Sequence, residues 1–291
     1  MKIFAIPYHP NHINPVFIQA FSNLSRILKR LNVELIIIDC RFDGDEHLEQ
    51  KIKAILSWVD GLVFIDNPYN LNPEIYSQPA GSAKNIDPYP ENFQFTKSMI
   101  AQAQEMKIPI LGLGEGAWQL NVAKGGSLQL HPTQKGRNNQ SLDGRVSHPI
   151  TVRPNTVLHS IFKSDEVRVN SPRYSYNSIE KLGRDLRMSA SAASGVIEAI
   201  EADDDSFCLG VQFHPEYLIC GDVEDGFVSR SEIRTHYQLF KKMTEAAESL
   251  QETRPLNRLE KVQKERTLMF HQKNTDALLN TSAGHGRLKL G

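Results

Sequence analysis

The residues best placed to do chemistry fall in three short segments. Pro109-Ile110-Leu111-Gly112-Leu113-Gly114-Glu115-Gly116-Ala117-Trp118 reads as a buried strand, a glycine-flanked tight turn and the start of a helix that continues towards Leu128. That order is the architecture of a nucleophile elbow, in which one residue is held on a strained turn at the edge of a sheet. Flanking glycines let neighbouring backbone approach closely. A second segment, His214-Pro215-Glu216, puts an imidazole and a carboxylate just after the apolar run Phe207–Phe213. The third, Asp66-Asn67-Pro68, follows another apolar run, Leu62–Ile65. Glu115 and Asp66 could bind a metal or a cationic ligand if they converge. Without convergence they are solvated acids.

The elements that must position these groups are legible from periodicity. Ile3–Ile6, Val33–Ile38, Leu62–Ile65 and Ile108–Leu113 are strand-sized apolar runs. Between them lie helical patterns: Phe17, Ala20, Phe21, Leu24, Ile27, Leu28 and Leu31 after an Asn14-Pro15 start; Leu48, Ile52, Ile55 and Val59; and Met99, Ile100, Ala103 and Met106. Continuous apolar strands alternating with amphipathic helices predict a parallel, doubly wound sheet covered on both faces, with sites beyond the carboxyl ends of the strands. Ser127 to Ser147 is polar. His148–Val157 reads as a strand and turn, and Met188–Ala193 with Gly195–Glu201 as an antiparallel pair. A last helix uses Ile233, Tyr237, Phe240, Met243 and Ala247. Residues 1–249 are expected to form one domain. Residues 250–291 are read as an appendage, part helix through Leu256, Leu259 and Val262, and part disordered towards Ala283–Gly291.

Bulk composition narrows the function classes. With a net charge of -1 over 291 residues, the chain is not expected to bind nucleic acid. Cys40, Cys208 and Cys220 show neither disulfide-framework nor zinc spacing. No apolar run reaches membrane-spanning length, and the start is broken by Pro7 too soon for a signal peptide. A cytoplasmic protein without metal or cofactor is the expectation, with export by a signal-independent route left open.

Taken in order, several motifs resemble the class I glutamine amidotransferases, in the peptidase C26 branch that contains the gamma-glutamyl-GABA hydrolases and gamma-glutamyl hydrolases. They are Asp60–Ile65, Asn70-Leu71-Asn72-Pro73 with Tyr76, the elbow with Leu120-Asn121-Val122 and Gly125-Gly126-Ser127-Leu128, Val169-Asn170-Ser171, Ser189–Ala192 with Gly195–Glu201, and Gly210–Glu216. The resemblance implies a flavodoxin-like doubly wound, mostly parallel sheet with a small antiparallel sheet. It also implies a triad in which His214 is the base and Glu216 its orienter. The family attacks a gamma-glutamyl amide with a cysteine.

The departures cluster at the expected site. Where the family has its cysteine stands Gly114, so the catalytic set reads as a vacant nucleophile position at Gly114 beside His214 and Glu216. Glu115 replaces an arginine and Trp118 a glutamine. Asp66-Asn67 stands for the glycine pair of the oxyanion loop and is followed by Pro68, which has no N–H to donate. Pro172-Arg173-Tyr174-Ser175 follows the V-N-S motif where the family has H-H-Q. Candidate ligand-contacting residues are therefore Asp66, Asn67, Glu115, Trp118, Arg173 and Tyr174. Each has a plainer reading. Gly114 is a tight turn or cleared space for a ligand, Trp118 and Tyr174 are packing residues, and His9 and His12 merely lie near the site edge. Losing a nucleophile leaves roughly 10³–10⁴-fold acceleration, and losing an oxyanion donor removes about 10²–10³ more. The expectation is a non-catalytic relative that binds a glutamyl-like small molecule or a protein partner. The alternatives are a hydrolase using a displaced nucleophile, Cys220 with His214, and a scaffold subunit whose tail is an interaction helix.

Overall fold

A computed structural model describes residues 1–41, 47–79, 86–130, 145–172, 177–221, 229–254 and 260–267. Strand β1 (Lys2–Tyr8) is buried on both faces along its whole length. Helix α1 (Pro15–Lys29) starts as the sequence predicts: the Asn14 side chain accepts the Phe17 N–H and Pro15 occupies the first turn. Such a cap contributes about 1 kcal/mol. Next come β2 (Val33–Asp39), α2 (Leu48–Leu56), β3 (Gly61–Phe64), α3 (Pro90–Glu105), β4 (Ile110–Leu113) and α4 (Glu115–Ala123). The second half holds β5 (Ser127–Leu130), β6 (Arg145–Val152), α5 (Val157–Phe162), β7 (Glu166–Pro172), β8 (Asn177–Lys181), β9 (Leu186–Ala192), β10 (Ile197–Ala202), β11 (Cys208–Val211), α6 (Pro215–Cys220) and α7 (Arg230–Thr253).

The main sheet has the order β2-β1-β3-β4-β11-β10-β9-β6-β7. Its first five strands are parallel and its last four pair antiparallel. The parallel half has the flavodoxin-like arrangement, with a switch point beside β1 and β3. Strands β5 and β8 form a separate antiparallel pair. Alternate residues of the parallel strands supply two cores. Phe4, Ile6, Val63, Leu111 and Leu209 pack with α1 and α7 residues such as Leu24 and Phe240. Ile3, Leu62, Ile110 and Cys208 pack on the other face with Ile52, Met99 and Leu120 of α2, α3 and α4. Two-sided burial is why these strands read as continuous apolar runs.

The differences from the sequence reading are local. The second helix stops at Leu56, not Val59: the Ser57 hydroxyl turns back to the Ala54 carbonyl and the Trp58 N–H to Ile55, and Val59 is buried in the turn that feeds β3. The fourth strand begins at Ile110, two residues late. The polar stretch from Ser127 opens with β5, and residues 131–144 lie outside the described set.

Helix α7 opens with a full capping box between Ser229 and Glu232 and crosses Leu250 without a break. Beyond it, residues 260–267 are helical, and Lys264 is buried in an ion pair with Asp60. Residues 255–259 and 268–291, including Leu256, Leu259 and Ala283–Gly291, fall outside the described residues. Among the described residues no helix is long and apolar enough to cross a membrane.

Candidate functional site

The turn between β4 and α4 is an elbow in backbone geometry. Gly114 has φ 57° and ψ -118°, a conformation held at strain by non-glycine residues. It is fixed by its N–H to the Val211 carbonyl of β11, at 2.9 Å. Gly116 lets α4 sit directly on β3, because a Cβ there would overlap the Phe64 carbonyl. The tip thus sits at the carboxyl edge of the sheet, between the ends of β3 and β11.

The space above the tip is filled. A Cβ added at Gly114 would overlap Oδ1 of Asp66 and lie 2.6 Å from Cε1 and 2.9 Å from Nε2 of His214. Asp66 reaches in from the end of β3, and its Oδ1 accepts the N–H of Glu115 at 2.7 Å. Oδ2 lies 3.3 Å from His214 Nε2. On the far side of the ring, His214 Nδ1 is 2.9 Å from Glu216 Oε1. A carboxylate oxygen, an imidazole and a second carboxylate therefore form one line, and the imidazole and Glu216 are both buried. The reading of Gly114 as cleared space is overturned, because the side chain of Asp66 occupies that space.

Glu115 completes the cluster. Its Oε2 accepts the Asn67 N–H at 3.2 Å. Burial, followed by the charge of Asp66, pushes the Glu115 carboxyl well above the usual carboxylate range. The two acids do converge on one loop. Among the described residues no group of three His, Cys, Asp or Glu side chains is arranged to hold a metal. Burial and the nearby Asp66 and Glu115 charges also push the Tyr8 phenol upward, and that hydroxyl lies 3.4 Å from the Asp66 carbonyl.

The other predicted residues are placed less centrally. Asn67 supports the loop, with its amide towards Asp87 Oδ2 at 3.4 Å and its carbonyl accepting the Tyr69 N–H. Trp118 is buried, and its indole N–H donates to Gln212 Oε1 at 2.6 Å, so the ring packs into the core under α4. Arg173 and Tyr174 lie outside the described residues. His9 stacks on Tyr89 with centroids 4.3 Å apart, and buried His12 sits 3.4 Å from Asp87 Oδ1. Sequence reasoning missed Asp87 and Tyr8, since neither belongs to a recognisable motif. It also missed that the backbone carbonyl of Asn170 accepts the backbone N–H of His214 at 2.9 Å.

The three cysteines differ in setting. Burial raises the thiols of Cys40 and Cys208 to about 12 each, which leaves them protonated. Cys220 Sγ points to the Asn23 carbonyl of α1 at 3.8 Å.

The model of the peptidase C26 family matches residues 45–216, more than half of the chain. The chain belongs to the peptidase C26 family. A glutamine amidotransferase-like protein of Rickettsia prowazekii is 28% identical over 210 residues, covering 57% of this chain and 74% of that protein. A gamma-glutamyl-gamma-aminobutyrate hydrolase of Escherichia coli O157:H7 is 26% identical over 197 residues, covering 61% of this chain and 74% of the hydrolase. A Mycobacterium tuberculosis relative, also of glutamine amidotransferase name, is 31% identical over 170 residues, and the match spans only 54% of its length. The fold of this peptidase C26 member is shared with the glutaminase domain of Trypanosoma brucei CTP synthase, at TM-score 0.57 and 13% identity over 86% of this chain and 94% of that one.

Proposed function

We propose that this peptidase C26 member is catalytically inactive towards gamma-glutamyl amides and serves as a binding or regulatory protein. The observation that carries this reading is the position of Asp66. In nucleophile-elbow hydrolases the backbone N–H after the nucleophile is an oxyanion donor. Here that donor, Glu115 N–H, is taken by the Asp66 carboxylate at 2.7 Å. No thiol stands at Gly114, and a negative charge occupies the place where an oxyanion would have to develop. Either loss alone removes orders of magnitude of rate. Proline at position 68 takes away a further backbone donor.

The ligand class follows from the relatives. Proteins of this family act on gamma-glutamyl amides, and the imidazole–carboxylate pair of this chain is intact, so a glutamyl-like metabolite is the small molecule proposed. Titration calorimetry with L-glutamate, gamma-glutamyl-aminobutyrate and aminobutyrate tests it. Heat of binding with one of them, without ammonia or amine release, is expected. Absence of heat from all of them removes the metabolite and leaves a protein partner.

A further inference from the structure

Helix α7 carries a surface with a different chemistry. Two clefts run along α7, one against α5 and the start of α7, the other reaching the amino ends of β4 and β11 at Pro109 and Phe207. The first has a volume of about 610 Å³ and lies between α5 and the first half of α7. Its walls carry four cations, Lys163, Arg234, Lys241 and Lys242, against one acid, Glu245, over a floor that includes Phe162. Glu245 serves both Lys241, at 3.9 Å, and Lys242, at 3.3 Å. Lys163 and Arg234 have no ion-pair partner among the described residues. The second cleft, about 790 Å³, continues from the first through the shared Ser160, Lys242 and Glu245. Its lining is apolar at Pro109, Val157, Phe207 and Leu250 and also carries Lys107, Asp204 and Asp205.

We infer that this continuous groove docks an extended peptide segment of a partner protein, acidic in the part that meets Lys163, Arg234 and Lys241, and apolar in the part that follows. Charge complementarity sets the first half: one acid among four cations leaves an excess of positive charge in a concave setting, where field lines are focused. The apolar wall sets the second half. The α7 residues that line the groove run from Arg234 to Thr253, which at 1.5 Å per residue is about 28 Å. An extended peptide of roughly eight to nine residues spans that length. A nucleic-acid strand fits less well. It would carry phosphates past Asp204, whose carboxyl is held below its ordinary range by the Ser206 hydroxyl, and past the exposed Asp205. None of the residues lining this surface belongs to the elbow cluster, and the inference does not depend on the reading of the elbow.

Fluorescence polarisation on the full chain tests the docking surface. The probes are a labelled 12-residue peptide of glutamate followed by leucine, its lysine–leucine counterpart, and a 12-nucleotide oligothymidylate. The glutamate–leucine peptide is expected to bind, with affinity falling as salt rises because the contact is partly exposed. Binding should drop at least about tenfold in Arg234→Glu/Lys241→Glu, and by a smaller factor in Arg234→Gln/Lys241→Gln. Both positions are exposed on α7, and unchanged circular dichroism confirms that each variant is folded. Equal affinity in wild type and both variants overturns the proposal. So does tighter binding of the oligonucleotide or of the lysine–leucine peptide.

Discussion

Strand β3 is bracketed by two aspartates, and they are treated in opposite ways. Asp60, before the strand, is saturated with donors: the Ile3 N–H and the Gln251 amide, each at 2.7 Å, and the ammonium of Lys264. These tie β1, α7 and the helical residues 260–267 to one buried carboxylate. Asp66, after the strand, has one backbone N–H, a histidine ring edge and a second acid beside it. The Asp60 cluster is electrostatically closed and serves stability. The carboxyl edge keeps a like-charge conflict that a purely structural region would have resolved. Strain of that kind is concentrated at sites with a function, present or lost.

The largest expected effect comes from relieving the carboxyl edge. Gly114→Cys alone should give no gamma-glutamyl hydrolysis, because the new Cβ meets Asp66 and His214. Combining it with Asp66→Gly frees the Glu115 N–H, and one such donor is worth roughly 10²–10³ in rate. Glutamate release from gamma-glutamyl-aminobutyrate should therefore rise at least about tenfold over the single variant. Full turnover from Gly114→Cys alone would show that Asp66 is no obstacle.

Stability separates the two aspartates next. Lys264→Ala leaves Asp60 buried without its cation, and urea unfolding should show a loss of about 3–5 kcal/mol. Asp66→Asn removes a charge from beside Glu115 and should change stability by less than about 1 kcal/mol, in either direction. Equal losses from both would dissolve the contrast.

A smaller effect is the pH profile. The Glu115 carboxyl titrates above its unfolded value, so the folded state binds the proton more tightly. Its contribution is present at low pH and declines as pH rises from the ordinary carboxylate range through the raised folded value. Glu115→Gln stays neutral, and its stability relative to wild type should improve with pH across that window. An unchanged difference between the two proteins would place Glu115 outside the conflict.

Much of this was legible in the sequence, for identifiable reasons. Strands buried on both faces announce themselves as runs such as Leu62–Ile65, and Asn14-Pro15 marks a helix start through local chemistry alone. The elbow was readable because glycines at 112, 114 and 116 have few other uses at that spacing. What filled the elbow was not readable. Asp66 and Gly114 are 48 residues apart, and their meeting depends on the register of β3 against β4. Lys264 was equally hidden, since a lysine in a polar, basic stretch reads as solvated until its long-range partner is known. Trp118 illustrates the converse: its place in the motif suggested a ligand contact, while its indole N–H is committed to Gln212.

Glutamate release from gamma-glutamyl-aminobutyrate by the unmodified protein, followed alongside Cys220→Ser, tests the central claim most directly. The expected result is no release above the buffer rate from either protein. Brisk release by the unmodified chain, abolished in Cys220→Ser, would contradict the account and establish a displaced thiol.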